Sequence, residues 1–375
     1  MRIAVNTRLL IKNKLEGIGW FSVEALKRIT TQHPEVTFLF IFDRAFDDEF
    51  VFSENVIPFS APPQARHPVL YYTWFNVTIP WMLSKHRADL FVSPDGYLSL
   101  TTSKPQLAVF HDLNFEHYPQ DLPWIERKYY RTFFPKYARI ARRIATVSEY
   151  SKQDIASQYH VDPNKIDVVY NGANPAFQPL TTNMAEQTRN NYSHGKPYFL
   201  FVGALHPRKN LTNLFKGFDA FKKSGDFPHK LLIAGNKKWW TADIKTAYEA
   251  LKHKDDIIFA GRVEMEELVK LMGAAEALTY VSYFEGFGIP IVEAFYAETP
   301  VITSRITSMP EVAGDAALQV DPFSPRSIGD AMRKVAGNQT LRRELIAKGK
   351  NRAQHFSWQQ TADKLWNSIE KTYNS

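Results

Sequence analysis

The segment LTYVSYFEGFGIPIVE, residues 278–293, combines a strand, a tight turn and the start of a helix, and the predicted fold rests on it. Its apolar beginning, LTYVS, has the composition of a buried strand. Gly286 and Gly288 allow the backbone to turn sharply, and Pro290 suits the first position of a helix. Such a turn directs free backbone N–H groups at whatever lies above it, so it is a candidate anion site.

Two glutamates flank this turn. Glu285, in the loop, could accept hydrogen bonds from the hydroxyl groups of a sugar. Glu293, in the first turn of the helix, could accept them from a ribose. A purely structural alternative is that Glu293 balances the helix dipole and that the glycines only shape the turn. Taken alone, the segment supports both interpretations equally.

The same alternation of apolar runs and amphipathic stretches recurs along the chain. It predicts an α/β fold with two doubly wound parallel sheets facing each other across a cleft. Residues 171–187 are poor in apolar side chains and contain two prolines, so we interpret them as the linker. Ligands of such sheets bind beyond the carboxyl ends of the strands. The predicted strands are 2–6, 36–42, 88–93, 106–110, 144–147 and 166–169 in the first half, and 198–202, 230–234, 257–260, 278–282 and 301–303 in the second.

A second candidate turn, GALHPRKN at residues 203–210, directly follows the strand YFLFV. The guanidinium fork of Arg208 and the compact ammonium group of Lys209 suit a diphosphate. A solvated basic loop is the commoner role for an Arg–Lys pair. However, two turns of phosphate-binding type in the same half favour a binding site.

Further candidate residues follow other strands. Gly203, Gly235 and Val263 lie at strand ends where a bare backbone could approach a base or a phosphate, although an ordinary turn explains each glycine equally well. In the first half, GIGW (residues 17–20) is a glycine turn without the third glycine of a dinucleotide fingerprint. His111 stands at the end of a strand beside an acid, where it could act in acid–base chemistry or only as a structural hydrogen-bonding group.

The charge balance leaves several partners open. The 375 residues carry a formal net charge of +7, which suits nucleic acid, anionic lipid or phosphorylated small molecules. Much of this excess lies in residues 124–143, where seven cations and one acid alternate with aromatic side chains. An amphipathic helix with its cations in water explains most of this pattern, and contact with an anionic membrane surface is the functional hypothesis.

The composition also excludes several kinds of chemistry. The absence of cysteine rules out disulfides, cysteine-ligated metals and a thiol nucleophile, and it is typical of a reducing compartment. The first residues have the pattern of a buried strand rather than a signal peptide, and we find no uncharged run long enough to span a bilayer. We therefore expect a soluble, cytoplasmic protein.

Nine motifs in order resemble the retaining group 1 glycosyltransferases, glycosyltransferase family 4. The resemblance covers nearly the whole chain, and its C-terminal half is the more diagnostic. The motifs are EGIG (16–19), HDL (111–113), VSEYSKQDI (147–155), VVYNG (168–172), VGALHPRKN (202–210), AGRV (260–263), EGFGIPIVEA (285–294), TSMPEVAGDAALQVDP (307–322) and FSW (356–358).

The resemblance implies a GT-B fold with two Rossmann-like domains. Residues 1–178 would bind the acceptor, residues 188–355 would bind the nucleotide sugar, and the helix in residues 356–375 would cross back to the first domain. Trp20 stands where members of the family often have a basic residue, so the acceptor contacts of that loop would differ from the family pattern.

The resemblance also assigns roles to the candidate residues. Catalysis would depend on His111 near the reacting sugar, on Arg208 and Lys209 at the diphosphate, and on Glu285 at the sugar hydroxyls. The remaining donor contacts would come from two N-terminal loop glycines, from strand-end turns, from backbone amides and from a ribose ligand; these residues are Gly17, Gly19, Gly203, Gly235, Val263, Phe287, Gly288, Ile289 and Glu293.

The chemistry implied is transfer of a sugar, with retention, from a UDP-, GDP- or ADP-linked donor to a hydroxyl of a glycan or lipid-linked acceptor. The sequence contains no Asp-x-Asp, so we expect the two cations to replace a metal, with no cofactor needed. Membership of the family indicates polysaccharide or lipopolysaccharide biosynthesis. The alternatives are another GT-B enzyme, such as an epimerase, or a sugar-nucleotide-binding protein without transfer activity. A nicotinamide-dependent oxidoreductase and a nucleic-acid-binding protein lack their motifs here.

Overall fold

The computed structural model describes residues 1–236 and 240–374, which form two compact units. The first unit contains Met1–Asn171 together with the segment that begins at Trp358. The second unit contains Gly172–Ser357. Each unit is built around one parallel sheet, which confirms the predicted α/β class with two Rossmann-like domains.

The sheet of the first unit contains β1 (Arg2–Asn6), β2 (Thr37–Phe42), β3 (Val56–Ser60), β4 (Leu90–Ser93), β5 (Gln106–Phe110), β6 (Arg143–Thr146) and β7 (Ile166–Val168). The strand order is β3-β2-β1-β4-β5-β6-β7, and every pairing is parallel. The helices are α1 (Gly17–Gln32), α2 (Pro68–Thr73), α3 (Ile79–Lys85), α4 (Asn114–His117), α5 (Trp124–Ile140) and α6 (Glu149–Tyr159). The inner strands are buried along their whole length, as expected for a sheet covered by helices on both faces.

The second unit repeats this architecture with six strands in the order β10-β9-β8-β11-β12-β13. These strands are β8 (Tyr198–Val202), β9 (Lys230–Ala234), β10 (Ile257–Gly261), β11 (Ala277–Tyr280), β12 (Val301–Ser304) and β13 (Leu318–Val320). Its helices are α7 (Thr182–Ser193), α8 (Leu211–Lys223), α9 (Ala242–Glu249), α10 (Met265–Ala274), α11 (Ile289–Tyr296), α12 (Met309–Ala313), α13 (Pro325–Gly337) and α14 (Gln339–Ala353).

The last helix, α15 (Trp358–Asn374), belongs to the first unit, as the resemblance implies. It packs against α1, where the rings of Trp366 and His33 stack with centroids 3.6 Å apart. The hydroxyl group of Thr361 donates to the carbonyl oxygen of Tyr170 at 2.6 Å.

Strand order reverses at one point in each sheet. In the first sheet β1 lies between β2 and β4, and in the second β8 lies between β9 and β11. The connections that leave the two strands at such a point run in opposite directions, which opens a crevice at the carboxyl edge of the sheet. Ligand sites are therefore expected beside the ends of β1 and β4, and of β8 and β11.

The structure corrects two parts of the sequence-based organisation. Residues 171–187 are not a linker throughout, because Thr181 caps α7 through its side chain and Arg189 in α7 donates to the carbonyl oxygen of Ala274 at 2.9 Å. The predicted long helix of residues 124–143 ends at Ile140, because Ala141 is extended. Residues 142 and 143 therefore lie outside α5.

A wide turn interrupts the helical segment between α2 and α3. Residues 74–78 form a π-helical turn, in which the N–H of Ile79 donates to the carbonyl oxygen of Trp74, five residues earlier. Pro80 follows directly and has no N–H to continue the ordinary ladder. Within residues 1–236 and 240–374, no helix combines the length and apolar content needed to cross a bilayer.

Candidate active site

The carboxyl edge of the second sheet carries two segments singled out by the sequence. The turn at residues 203–210 follows β8, and the loop at residues 281–288 follows β11. The two segments leave the sheet side by side because β8 and β11 are neighbours at the point where strand order reverses. The N–H of Tyr283 donates to the carbonyl oxygen of Arg208 at 2.9 Å and joins them directly.

Glu285 lies between two cations in this crevice. Its Oε2 accepts a hydrogen bond from Nη1 of Arg208 at 2.5 Å, and its Oε1 lies 2.7 Å from Nζ of Lys209. Glu285 and Lys209 are both buried. Burial by itself would raise the pKa of the Glu285 carboxyl, but Arg208 and Lys209 lower that pKa to about 2. Glu285 is therefore ionised at neutral pH and offsets one of the two positive charges.

Tyr280, the last residue of β11, orients Lys209. The Nζ of Lys209 donates to the phenol oxygen at 2.6 Å and lies 4.7 Å from the centroid of the same ring. Burial raises the pKa of Tyr280 well above its usual range, so the phenol stays neutral. Tyr280 is not recognisable as a site residue from the sequence, because an aromatic side chain within an apolar strand has the pattern of a core residue.

Asn210 fixes the cationic turn to its surroundings. Its backbone adopts a left-handed conformation with φ of 61°, which asparagine tolerates better than most residues. Its Nδ2 donates to the carbonyl oxygens of Val281 at 2.9 Å and Pro322 at 2.6 Å. The Arg–Lys–Asn order was visible in the sequence, but these two contacts come from segments distant along the chain.

The glycine turn before α11 has the geometry that its sequence predicts. Gly288 has a φ of 104°, which other residues rarely adopt, and α11 begins at Ile289. The Oγ of Ser308, a residue of the motif at 307–322 to which no role was assigned, lies 2.8 Å from the carbonyl oxygen of Glu285 and 3.1 Å from that of Phe287. The Phe287 side chain is buried in the second unit.

Glu293 is a buried carboxyl group in the second turn of α11, not in the first turn as predicted, because α11 begins at Ile289. Among the described residues, no hydrogen bond or ion pair reaches its side chain, and its exposure is 9%. Burial raises the pKa of Glu293 to about 8. Within the described part of the protein this carboxyl group has no donor that would stabilise its charge. Its oxygens can therefore accept hydrogen bonds from a ligand.

Gly203 and Gly235 pack directly against each other beside this site. A Cβ on Gly235 would come 1.8 Å from the carbonyl oxygen of Gly203, so only glycine fits. A Cβ on Gly203 would face the Lys209 side chain, 3.5 Å from its Cε. Val263 is half-buried after β10, two strands away from β8.

The remaining predicted residues belong to the first unit. GIGW is not a turn between strand and helix, because α1 begins at Gly17 and Gly19 packs within it against Leu15. His111 follows β5, and its Nε2 lies 2.8 Å from the carbonyl oxygen of Pro94. Burial lowers the pKa of His111 below its usual value, so the ring is neutral and its Nε2–H donates to Pro94.

An ion pair that sequence analysis missed lies where strand order reverses in the first sheet. The Nε of Arg8, just after β1, donates to Oδ2 of Asp95, just after β4, at 2.6 Å. The guanidinium carbon lies 4.5 Å from the ring centroid of Tyr97 and 5.1 Å from that of Tyr71. Each unit thus has an Arg–carboxylate pair at the equivalent position of its sheet.

Comparison with known proteins gives matches over both units. The family model described as Glycosyltransferase Family 4 matches residues 16–177, and the one described as Glycosyl transferases group 1 matches residues 184–352. O-antigen chain mannosyltransferase B of Escherichia coli is 26% identical over 96% of this chain and 97% of its own length. O-antigen chain mannosyltransferase RfbU of Salmonella typhimurium is 32% identical over 75% of this chain and 74% of its own length.

A solved structure has the same fold. Anabaena HepE, crystallised with UDP and glucose, superimposes with a TM-score of 0.76 over 99% of each chain at 14% sequence identity. At that identity the likeness concerns the fold. In residues 1–236 and 240–374, no group of three or more His, Asp or Glu side chains is arranged to hold a metal ion.

Proposed function

This chain belongs to the group 1 glycosyltransferases, and from that premise we propose that it transfers a sugar from a nucleotide-diphosphate donor bound to the second unit. The observation that carries the proposal is the cluster of the half-buried Arg208 with the buried Lys209 and Glu285, beside the glycine turn at Gly288. Two cations and a helix start are suited to a diphosphate, whereas a carboxylate is suited to hydroxyl groups.

The cluster supplies what the reaction needs at the leaving group. Negative charge grows on the diphosphate as the bond to the sugar carbon breaks, and Arg208 and Lys209 would stabilise it together with the backbone N–H groups at Gly288 and Ile289. In our proposal these groups act without a metal ion, and Glu293 accepts hydrogen bonds from the ribose hydroxyls. Gly203, Gly235 and Val263 would let the nucleotide lie against the backbone.

We further propose that the reaction retains the configuration of the sugar. The acceptor hydroxyl group attacks the sugar carbon from the face that the diphosphate leaves, and its proton passes to the departing phosphate oxygen. The neutral ring of His111, with Nε2–H held by Pro94, keeps an unprotonated Nδ1 that can accept a hydrogen bond from the sugar. Gly17 and Gly19 would lie near the phosphates or the acceptor.

The acceptor in this proposal is a hydroxyl group of a glycan or of a lipid-linked sugar. Two relatives are named O-antigen chain mannosyltransferases, which supports a role in cell-surface polysaccharide or lipopolysaccharide biosynthesis and makes mannose the first sugar to test. We place the enzyme in the cytoplasm, with peripheral contact to an anionic membrane surface through residues 124–143.

A thermal-shift screen of UDP-, GDP- and ADP-linked sugars tests the donor assignment. A donor that binds the folded chain raises its melting temperature in proportion to the logarithm of ligand concentration over Kd. We expect one nucleotide class to stabilise the wild type and to lose most of its effect in Lys209→Ala. If no nucleotide sugar shifted the melting temperature, the proposed donor site would be wrong.

A further inference from the structure

Large apolar side chains are concentrated on one part of the first unit. Twelve such side chains are exposed among the described residues, and eight of them lie within residues 69–81 or in α5. The most exposed of these eight are Val69 (65%), Trp124 (63%), Val77 (62%) and Trp81 (55%). This is more than the scattered apolar exposure that is normal for a soluble surface.

Residues 69–81 carry no charge themselves, but cations are concentrated on either side of them and in α5. Residues 55–88 contain no acid and have an excess of three cations, and residues 124–143 have an excess of six, nine in all. This exceeds the +7 of the whole chain, so the other residues together are slightly acidic. Arg143 leaves this surface to pair with Asp167 at 2.7 Å, but Arg66, Lys85 and four cations of α5 are exposed. Those cations are Lys128, Arg131, Lys136 and Arg139.

The two stretches lie side by side in the first unit. The rings of Tyr71 and Tyr129 are 5.6 Å apart between centroids, and those of Tyr72 and Phe133 are also 5.6 Å apart. Residues 69–85 and α5 therefore form one continuous surface, which we call the aromatic–cationic face.

Cations and aromatic rings alternate within this face. The Nζ of Lys85 lies 4.4 Å from the ring centroid of Trp81, and that of Lys128 lies 5.2 Å from the ring centroid of Trp124. Long cationic side chains that rest on aromatic rings keep their charged ends in water while the rings enter an apolar phase.

We infer that the aromatic–cationic face docks on the surface of an anionic lipid bilayer, with Val77 and Trp81 entering the interface. Charge complementarity favours an anionic membrane over a second copy of this chain, because a cationic face with few acids repels a second copy of itself. Tryptophan beside lysine is typical of the boundary between lipid headgroups and acyl chains. The inference rests on the proposed function and extends it by adding an apolar insertion segment at residues 69–81 to the helix already proposed.

Vesicle sedimentation with the full chain tests this inference. Vesicles contain either phosphatidylglycerol with phosphatidylethanolamine or phosphatidylcholine alone. We expect at least tenfold stronger partitioning to the anionic vesicles. Each exposed cation near the membrane surface raises the affinity for anionic vesicles about fivefold. Lys128→Glu with Lys136→Glu should therefore lower this affinity by at least twentyfold. Added salt should lower it as well.

The apolar contribution has its own variant. Val77→Ser with Trp81→Ala should lower partitioning to anionic vesicles about tenfold without changing the dependence on salt. The matched control, Met184→Ser with Tyr373→Ala, removes two exposed apolar side chains elsewhere and should bind like the wild type. Lys252→Glu with Lys254→Glu is the matched charge control in the second unit.

The outcomes are distinguishable. Equal binding to both vesicle types, or no loss in the Val77/Trp81 variant, would overturn the inference. A wild-type dimer that this variant converts to a monomer would also overturn it and assign the face to a second copy. Nucleotide affinity measured by calorimetry should be unchanged in all these variants, so failure of the donor site would be recognised separately.

Discussion

The guanidinium group of Arg208 donates to the carboxylate of Glu285 at 2.5 Å, in the crevice at the carboxyl ends of β8 and β11. The same carboxylate lies 2.7 Å from the ammonium group of Lys209. A diphosphate that binds these cations therefore competes with Glu285 for them. The freed carboxylate would then accept hydrogen bonds from hydroxyl groups of the sugar. A complete nucleotide sugar supplies these hydroxyl groups and a free nucleoside diphosphate does not, so we expect the complete donor to lose less affinity through this competition.

Glu285→Gln should bind the free nucleoside diphosphate about tenfold more tightly than the wild type, while its turnover falls at least a hundredfold. The amide removes the competing charge but keeps the shape of the side chain. Isothermal titration calorimetry and initial rates measure the two effects. Glu276→Gln is a matched control, because Glu276 pairs with Arg342 at 2.8 Å on the opposite edge of the sheet. An unchanged nucleotide affinity in Glu285→Gln would contradict the competition.

Arg208→Ala and Lys209→Ala should each lower kcat/KM by about a hundredfold to a thousandfold, which is the usual effect of removing one group that stabilises charge in the transition state. Circular dichroism should show a folded protein in both cases. Arg342→Ala, which removes a cation outside the crevice, should retain turnover near that of the wild type. If both crevice variants kept normal turnover, the assignment of the diphosphate to these residues would fail.

Glu293→Gln should be more stable than the wild type at pH 9, by roughly 2–4 kcal/mol in the free energy of unfolding. The Glu293 carboxyl has a pKa of about 8 in the folded protein against an ordinary 4.5, so unfolding releases a proton between these values. Stability of the wild type therefore falls as pH rises through that window, and the amide lacks this loss. Urea unfolding at pH 5 and pH 9 measures the difference, which should nearly vanish at the lower pH.

The same variant should bind the nucleotide about tenfold more weakly at pH 9, because hydrogen bonds to a carboxylate are stronger than those to an amide. In the wild type, affinity should rise as pH increases from 7 to 9 and Glu293 ionises. Titration calorimetry at several pH values shows whether this rise disappears in Glu293→Gln. Identical pH profiles in the two proteins would exclude contact with the ribose.

Gly235→Ala should destabilise the second unit by about 3 kcal/mol or prevent its folding, because the added Cβ would overlap the carbonyl oxygen of Gly203. Gly337→Ala is the matched control, since a Cβ there meets nothing within 4 Å. That change should leave stability within about 1 kcal/mol of the wild type. Thermal unfolding of both variants tests the contact, and equal melting temperatures would show that the turn can relax.

Transfer activity should survive EDTA, since Arg208 and Lys209 supply the positive charge that a metal ion would otherwise provide. Rates measured before and after chelation, with Mg²⁺ restored as the control, test this directly. A strict requirement for a divalent cation would overturn the metal-independent mechanism.

The central strands and the site turns could be predicted because they depend on local patterns. The strands at 2–6, 106–110, 198–202 and 230–234 have the same bounds in the sequence analysis and the structure. The edge strand β3 was missed because Pro58 interrupts its pattern, which an edge position tolerates. The helix α7 was missed because only Thr188 and Ser193 are buried along it, so it has no apolar periodicity.

The candidate site was predictable only as a set of parts. The sequence indicated Arg208, Lys209 and Glu285 separately, and the neighbouring positions of β8 and β11 bring them into contact. Nothing local distinguishes Tyr280 from a core residue or shows that Asn210 reaches Pro322, 112 positions later. The distances between these side chains depend on the order of the strands in the sheet, which no local sequence pattern encodes.

The π-helical turn at residues 74–78 sets the angular phase of the segment that contains it. Val77 follows Tyr72 by five positions, a spacing that an ordinary α-helix would rotate by 140° and that the wider π turn rotates by less. Trp81 follows Val77 by four positions, within one turn of the same face. The π turn therefore does more than interrupt a hydrogen-bond ladder: its extra residue acts as a rotational offset. Deletion of one residue from the π turn would rotate the side chains after it relative to those before it, although the composition of the segment would hardly change.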